Sequence, residues 1–241
     1  MIDIHSHLLP GIDDGAQTLD DALALARAAV AAGITLSVMT PHLHPGRYDN
    51  GLASIRAALD AFRRELALRG IPLTLRMGAE VRISPELVQM VEEEKVPYLG
   101  VCDGYSIVLL EFPHGHLTVG AEKLVEWLLA RRVRPLIAHP ERNKEVVRNV
   151  EKIRPYVAMG CLLQLTGASV IGRFGKPVQR CAMTLLERGW VAAVATDAHD
   201  LAHRPPNLDV ARAALAAMGG GGWARSMTEH GPAHILGRPC A

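Results

Sequence analysis

The sequence predicts an α/β protein whose parallel strands form a closed or slightly distorted barrel, with a doubly wound open sheet as the alternative. Three observations carry this expectation. Short runs rich in Val, Ile and Leu alternate with longer amphipathic segments. The boundaries between them carry residues suited to helix ends. Residues of metal-ligand type gather where the apolar runs finish, and the C-terminal strand ends are where a barrel has its mouth.

Residues 1–5 read as the first strand. Thr18 is an N-cap for a helix through Ala32, closed by Gly33 at C′. A strand at 34–40 and a helix at 52–69, ended by Gly70, come next, then a strand at 73–81. Ser84-Pro85-Glu86 supplies an N-cap with proline at N1 for a helix reaching Glu94. Strand 105–111 leads to a helix capped by Thr118 and running to Arg132. The short buried strand 135–138 precedes a helix reaching Met159, broken by Gly160. Strand 162–165, a helix at 176–188 ended by Gly189 and strand 191–195 complete seven strands. A last helix spans 208–218, Gly219 to Gly222 read as a flexible turn, and WARSMTEHGPAHILGR adds a short helix and a docking segment. No linker interrupts the pattern, so residues 1–241 are expected to be one domain.

At 241 residues and 49% hydrophobic, the chain has enough apolar material for one buried core. Its 26 basic and 25 acidic residues nearly cancel, which gives no compositional case for a nucleic-acid partner. Cys102, Cys161, Cys181 and Cys240 form no CxxC pair, and none begins the CxxxxxR loop of a cysteine-based phosphatase. They argue against a disulfide framework and for a reducing cytoplasm. No signal-peptide pattern or bilayer-length apolar run appears, so neither secretion nor membrane insertion is expected. The GGGG run is no phosphate loop, for it lacks the following Lys-Ser/Thr and the preceding strand.

The strand ends hold the chemistry. His5 and His7 end the first predicted strand, His42 follows the second, Glu80 sits late in the third and Glu111 ends the fourth. His139 ends the fifth, and Asp197 and His199 follow the last. Any one of these alone reads as a cap, a turn residue or a satisfied polar group. HxH differs, because alternate strand residues present two imidazoles to the same side, and the joint pattern reverses the odds. With Asp14 the candidates are too many for one tetrahedral ion and suit a polynuclear centre that hydrolyses a charged ester. Imidazole and carboxylate without thiolate favour Zn²⁺, Mn²⁺ or Fe²⁺.

Long segments carry a resemblance: MIDIHSHLLPGIDDGAQT, MTPHLHPGRYDN, GAEV, LLEFP, PLIAHPERN, GRFGK and ATDAHDLAHRPP. Over nearly its whole length the chain resembles the PHP (polymerase and histidinol phosphatase) superfamily, and within it the bacterial protein-tyrosine phosphatases of capsule and exopolysaccharide synthesis. The resemblance implies a distorted seven-stranded (β/α)7 TIM-like barrel. It implies a first metal on His5, His7, Glu80 and Asp197, a second on Glu80, Glu111 and His139, and a third on Asp14, His42 and His199. Two or three divalent ions are expected, Mn²⁺ first, with Fe²⁺, Zn²⁺ or Co²⁺ as alternatives. Asp13 is left to a turn in GIDDG, where Gly11 and Gly15 let the loop fold back over the mouth. Asn143 stands where many relatives have Tyr, and Thr196 where Ser is common, departures that bear on substrate preference.

Arg142 and Arg204 are the candidate phosphate-binding catalytic residues, because a guanidinium fork matches two phosphate oxygens and both match arginines of the family. Arg47 is a weaker third, and His44, His114 and His116 are loop histidines that either reach substrate or face solvent. The expected reaction is phosphotyrosine hydrolysis by a metal-activated hydroxide without a covalent phosphoenzyme. The resemblance implies a bacterial tyrosine autokinase as the protein substrate. A histidinol-phosphatase-like enzyme for small phosphomonoesters and a catalytically inactive binding scaffold are the alternatives. A nuclease or an amidohydrolase fits less well, given the balanced charge and the lack of a lysine at a strand end.

Overall fold

The structure is a computed structural model that describes residues 1–238. Cys240 lies outside the described residues, and Cys102, Cys161 and Cys181 are buried free thiols.

Strand β1 (Ile2–Ser6) is followed by helix α1 (Leu19–Ala31). Thr18 caps α1 through a reciprocal box: its hydroxyl accepts the Asp21 N–H at 3.2 Å, and the Asp21 carboxylate accepts the Thr18 N–H at 3.1 Å. Strands β2 (Leu36–Met39) and β3 (His42–Leu43) precede α2 (Leu52–Leu68). Strands β4 (Thr74–Met77) and β5 (Glu80–Arg82) precede α3 (Glu86–Glu92). Then come β6 (Gly100–Cys102), β7 (Tyr105–Glu111), α4 (Ala121–Ala130) and β8 (Val133–Ala138). A 3-10 turn (Pro140–Arg142) leads to α5 (Lys144–Arg148), a second such turn (Val150–Ile153) and α6 (Arg154–Ala158). Strand β9 (Leu162–Thr166), α7 (Gly167–Val170), α8 (Lys176–Glu187) and β10 (Val191–Ala195) follow. The last described elements are α9 (Leu208–Arg225), a π-helical turn (Ser226–His230) and α10 (Gly231–Ile235).

The parallel pairing runs β1-β2-β4 in one sheet and β10-β9-β8-β7-β5-β3 in the other, and β6 adds an antiparallel edge to β7. The strand expected at 34–40 is seen as Leu36–Met39, and a further two-residue strand, His42–Leu43, follows it in the other sheet beyond Pro41, which has no N–H for a ladder. The strand expected at 73–81 breaks at Gly78, where a Cβ would lie 2.5 Å from Leu99. The Asp197 N–H donates to the His5 carbonyl at 2.9 Å and the His7 N–H to the Ala198 carbonyl at 2.8 Å, which joins the first strand to the chain leaving the last. The result is an α/β barrel-like fold, and the open-sheet alternative is set aside.

Both faces of most of the parallel strands are buried, as parallel strands flanked by helices require. Along β7, Ile107 and Leu109 enter an inner apolar cluster with Ile4, Val38 and Leu136, while Val108 and Leu110 pack outward against the helices. Ile235 and Leu236, at the end of α10, belong to the inner cluster and plug the end opposite the strand C-termini. Gly100 is required there, because a Cβ would meet the Leu236 backbone at 2.7 Å.

Other expectations shift locally. Gly120, left-handed at φ +80, precedes α4 in place of the expected Thr118 cap. The single helix expected to reach Met159 is broken into short turns, with Asn143 and Asn149 accepting backbone N–H groups at the breaks. Gly219 to Gly222 continue α9 across a kink at Gly220, and a Cβ on Gly219 would strike the Trp223 ring at 2.3 Å.

Candidate metal centre

The alternation of β1 turns His5 and His7 to one side, with their Nε2 atoms 3.1 Å apart. Each imidazole is held from behind by an acceptor. His5 Nδ1–H donates to Gln164 Oε1 at 2.8 Å, His7 Nδ1–H to Asp13 Oδ2 at 2.7 Å, and His199 Nδ1–H to the Asp197 carbonyl at 2.9 Å. Those partners hold the Nδ1 protons and turn the three Nε2 atoms inward, as in metal-binding histidines.

Glu80 and Asp197 complete that nest. Glu80 Oε2 lies 3.4 Å from His5 Nε2, 3.5 Å from His7 Nε2 and 3.0 Å from His42 Nδ1. Asp197 Oδ1 is 3.3 Å from His5 Nε2 and 3.4 Å from His7 Nε2. Glu80 Oε2, Asp197 Oδ1 and His199 Nε2 are buried without a hydrogen-bond partner. Orphaned buried acceptors are costly, and so many converging on one point is the signature of a cation site.

The donors fall into overlapping groups, each with ligand atoms within 4.8 Å of one another: His5, His7, Glu80 and Asp197; His7, Asp14, His42 and His199; and His42, Glu80 and Glu111. The first has the composition expected for one metal. The second adds His7 to the expected third set. In the remaining group His42 stands with Glu80 and Glu111, while His139 Nε2 approaches the other Glu80 oxygen, Oε1, at 2.8 Å. Cys102, Asp103 and His234 form a further group elsewhere, where Arg134 pairs with the same Asp103 carboxylate at 3.1 Å.

The centre opens into a cavity of about 300 Å³. Four carboxylates (Asp14, Glu80, Glu111, Asp197) and four guanidiniums (Arg47, Arg82, Arg142, Arg204) line it. Arg142 Nη1 pairs with Asp197, and Arg204 Nη2 lies 3.7 Å from Asp14 Oδ2. His139 and Asp197 take positive φ, +31 and +53, as they turn off β8 and β10. Such backbone costs on the order of 1–3 kcal/mol and persists at sites where the surroundings enforce it.

The electrostatics is strongly coupled. Burial opposes ionisation of Glu80, but His5, His42 and His139 around it hold its carboxyl well below the ordinary range. Burial, followed by the nearby Glu80, pushes Glu111 up to about 7. His42, despite its burial, is raised to about 10 by Glu80 and by hydrogen bonds to Asp14 and Glu80. Burial and Arg142 lower His139 to about 4.

All the strand-end candidates therefore meet, together with Asp14 and both chosen arginines. Arg47, His44 and His114 also line the cavity, whereas His116 supplies its carbonyl to Asn143 Nδ2 at 2.9 Å. Sequence reasoning missed Arg82 and Gln164 and undervalued Asp13, which is a turn residue, accepting the Gly15 N–H at 2.9 Å, and also the partner of His7. The i, i+2 spacing from Glu80 could have pointed to Arg82. Gln164, one amide within an apolar strand, gave no such signal.

A family model described as capsular polysaccharide synthesis, CpsB/CapC, matches residues 1–237. The tyrosine-protein phosphatase YwqE of Bacillus subtilis is 38% identical over 204 residues, covering 85% of this chain and 79% of the relative. The tyrosine-protein phosphatase CpsB of Streptococcus pneumoniae is 27% identical over 98% of both chains. A crystal structure from work on YwqE of B. subtilis and CpsB of S. pneumoniae, described as metal-dependent tyrosine phosphatases, superposes with a TM-score of 0.91 and 34% identity, covering 100% of this chain and 96% of that one. The lactonase Lmo2620 of Listeria monocytogenes, at TM-score 0.61 and 13% identity, shares the fold alone.

Proposed function

The chain belongs to the CpsB/CapC family of capsular polysaccharide synthesis, and from that premise we propose that it is a metal-dependent tyrosine phosphatase. The observation that carries this reading is the buried nest of His5, His7, Glu80 and Asp197, with Glu80 Oε2 and Asp197 Oδ1 unpaired at its centre. We read His5, His7, Glu80 and Asp197 as one ligand set, Glu80, Glu111 and His139 as a second, and Asp14, His42 and His199 as a third. Two or three divalent ions would fill them, Mn²⁺ first, with Fe²⁺, Zn²⁺ or Co²⁺ as alternatives. When bound, such ions supply Lewis acidity toward phosphoryl oxygens and lower the pKa of water toward ~7.

The chain's own residues do the rest. Asp13, Gln164 and the Asp197 carbonyl hold the Nδ1 protons of the three imidazoles and keep the Nε2 atoms aimed inward. Arg142 and Arg204, which both line the cavity, bind non-bridging phosphoryl oxygens and neutralise the charge that develops in the transition state. The leaving group is a phenolate of pKa about 10, which departs with less assistance than an alkoxide.

The substrate would be a phosphotyrosine protein, and in the capsule setting of this family a tyrosine autokinase is the partner we favour. The three buried, unpaired thiols suit a cytoplasmic protein, and no helix among the described residues is long and apolar enough to cross a membrane. We take residues 1–241 as one domain and the strand positions as a distorted seven-stranded barrel, with β2/β3 and β4/β5 each one strand that changes sheets. Protein loaded with Mn²⁺ should hydrolyse a phosphotyrosine peptide well and histidinol phosphate poorly. The opposite preference would overturn the substrate assignment, and absence of turnover on both would favour a binding scaffold.

A further inference from the structure

Arg82 lies two residues beyond Glu80 on β5, so the alternation of the strand turns both side chains to the cavity. The parallel register sets Arg82 opposite Glu111 of β7, with Nη1 3.3 Å from Glu111 Oε2. That Nη1 is buried and makes no hydrogen bond. Arg142 faces Asp197 and Arg204 faces Asp14 in the same manner. Each guanidinium thus opposes a carboxylate from a different candidate metal group.

This pairing has an electrostatic consequence. The cavity sets four carboxylates against four guanidiniums. Guanidinium does not deprotonate in proteins, so divalent cations on the carboxylates leave the cavity with a large positive excess and leave the arginines without counter-charges. An anion seated between cations and arginines relieves both.

We propose that Arg82 is a third phosphate-binding residue, which engages the phosphoryl group from the Glu111 side of the cavity while Arg142 and Arg204 hold its other oxygens. This rests on the phosphatase reading and extends it to a residue outside the chosen pair. A dianionic phosphate monoester has three non-bridging oxygens, and a planar fork binds them better than a lysine ammonium.

The test is calorimetric titration of the metal-loaded protein with inorganic phosphate, with metal content measured in parallel. Arg82→Ala should weaken phosphate binding on the order of tenfold or more at unchanged metal content. Arg82→Lys should recover part of the loss, and it decides the matter alone if the alanine variant does not fold. Unchanged phosphate affinity in the folded variants overturns the proposal. So does a loss confined to metal content, which would make Arg82 a positioning residue for Glu111. Wild-type protein that binds phosphate but cleaves no phosphotyrosine peptide would sink the phosphatase reading, with Arg82 still judged by the same isotherms. Wild-type protein that binds no phosphate sinks both.

Discussion

His7 and Asp13 form a buried pair in which Nδ1–H donates to Oδ2 at 2.7 Å, and the same oxygen accepts the backbone N–H of His42 at 3.0 Å. One carboxylate from the GIDDG loop therefore orients a candidate ligand just beyond β1 and anchors the backbone of another on β3. Asp13→Ala should lower metal affinity about 10- to 100-fold, the usual cost of losing an outer partner of a ligating histidine. Asp13→Asn, which can still accept from Nδ1–H, should retain more. Metal titrations on both variants check this, and equal affinity in wild type and Asp13→Ala would refute the orienting role.

Much of this site was legible because strand alternation and strand ends leave marks in sequence. His5 and His7 share a face by spacing alone, and Glu111 ends β7 at the expected residue. Likewise Val191–Ala195 was readable as an apolar run just before Asp197. What escaped depends on tertiary contacts. Gly78 breaks its strand where Leu99 packs against it, and Gly219 stays in α9 because the Trp223 ring lies against it. Asp13 looked like a turn former because the His7 ring that it faces is brought to it only by the folded loop.

Arg142 is held between the Asp197 carboxylate and the Phe174 ring, whose centroid is 4.9 Å from Cζ. Arg142→Ala should reduce kcat/KM for a phosphotyrosine peptide by roughly 10²–10³, the scale for losing one donor to a developing anion. Steady-state kinetics at matched metal content measures it. Full activity in that variant would remove Arg142 from the phosphate site.

The metal-free protein should depend on pH in a definite direction. Glu111, raised from 4.5 to about 7, binds a proton in the folded state that the unfolded chain has already released, so its contribution to stability is present below pH 4.5 and lost as pH rises through 7. His42, raised from 6.5 to about 10, contributes fully below pH 6.5 and loses that contribution as pH rises through 10. Both must shed a proton to become ligands, so metal binding near neutral pH should release protons and tighten with rising pH. Calorimetry in buffers of different ionisation enthalpy counts the protons. Metal binding with no proton release at pH 7 would contradict these assignments.

Gly15 tests how the GIDDG loop reaches the centre. Its N–H donates to Asp13 Oδ1 at 2.9 Å, the Ala16 N–H donates to the His7 carbonyl at 3.1 Å, and a Cβ at Gly15 would lie 2.0 Å from that carbonyl oxygen. Gly15 thus serves close approach to β1, whereas Gly11, at φ +72 with its nearest neighbour 3.6 Å from a Cβ, serves the turn. Gly15→Ala should therefore push the loop off the strand end, destabilise the protein by about 1–3 kcal/mol and weaken metal binding by displacing Asp13 and Asp14. Gly11→Ala should cost only about 1–2 kcal/mol of left-handed backbone strain, with metal affinity nearly unchanged. Thermal melts and metal titrations on the two variants separate these effects. Equal metal affinity in both would mean that the loop reaches the centre without needing the contact at His7.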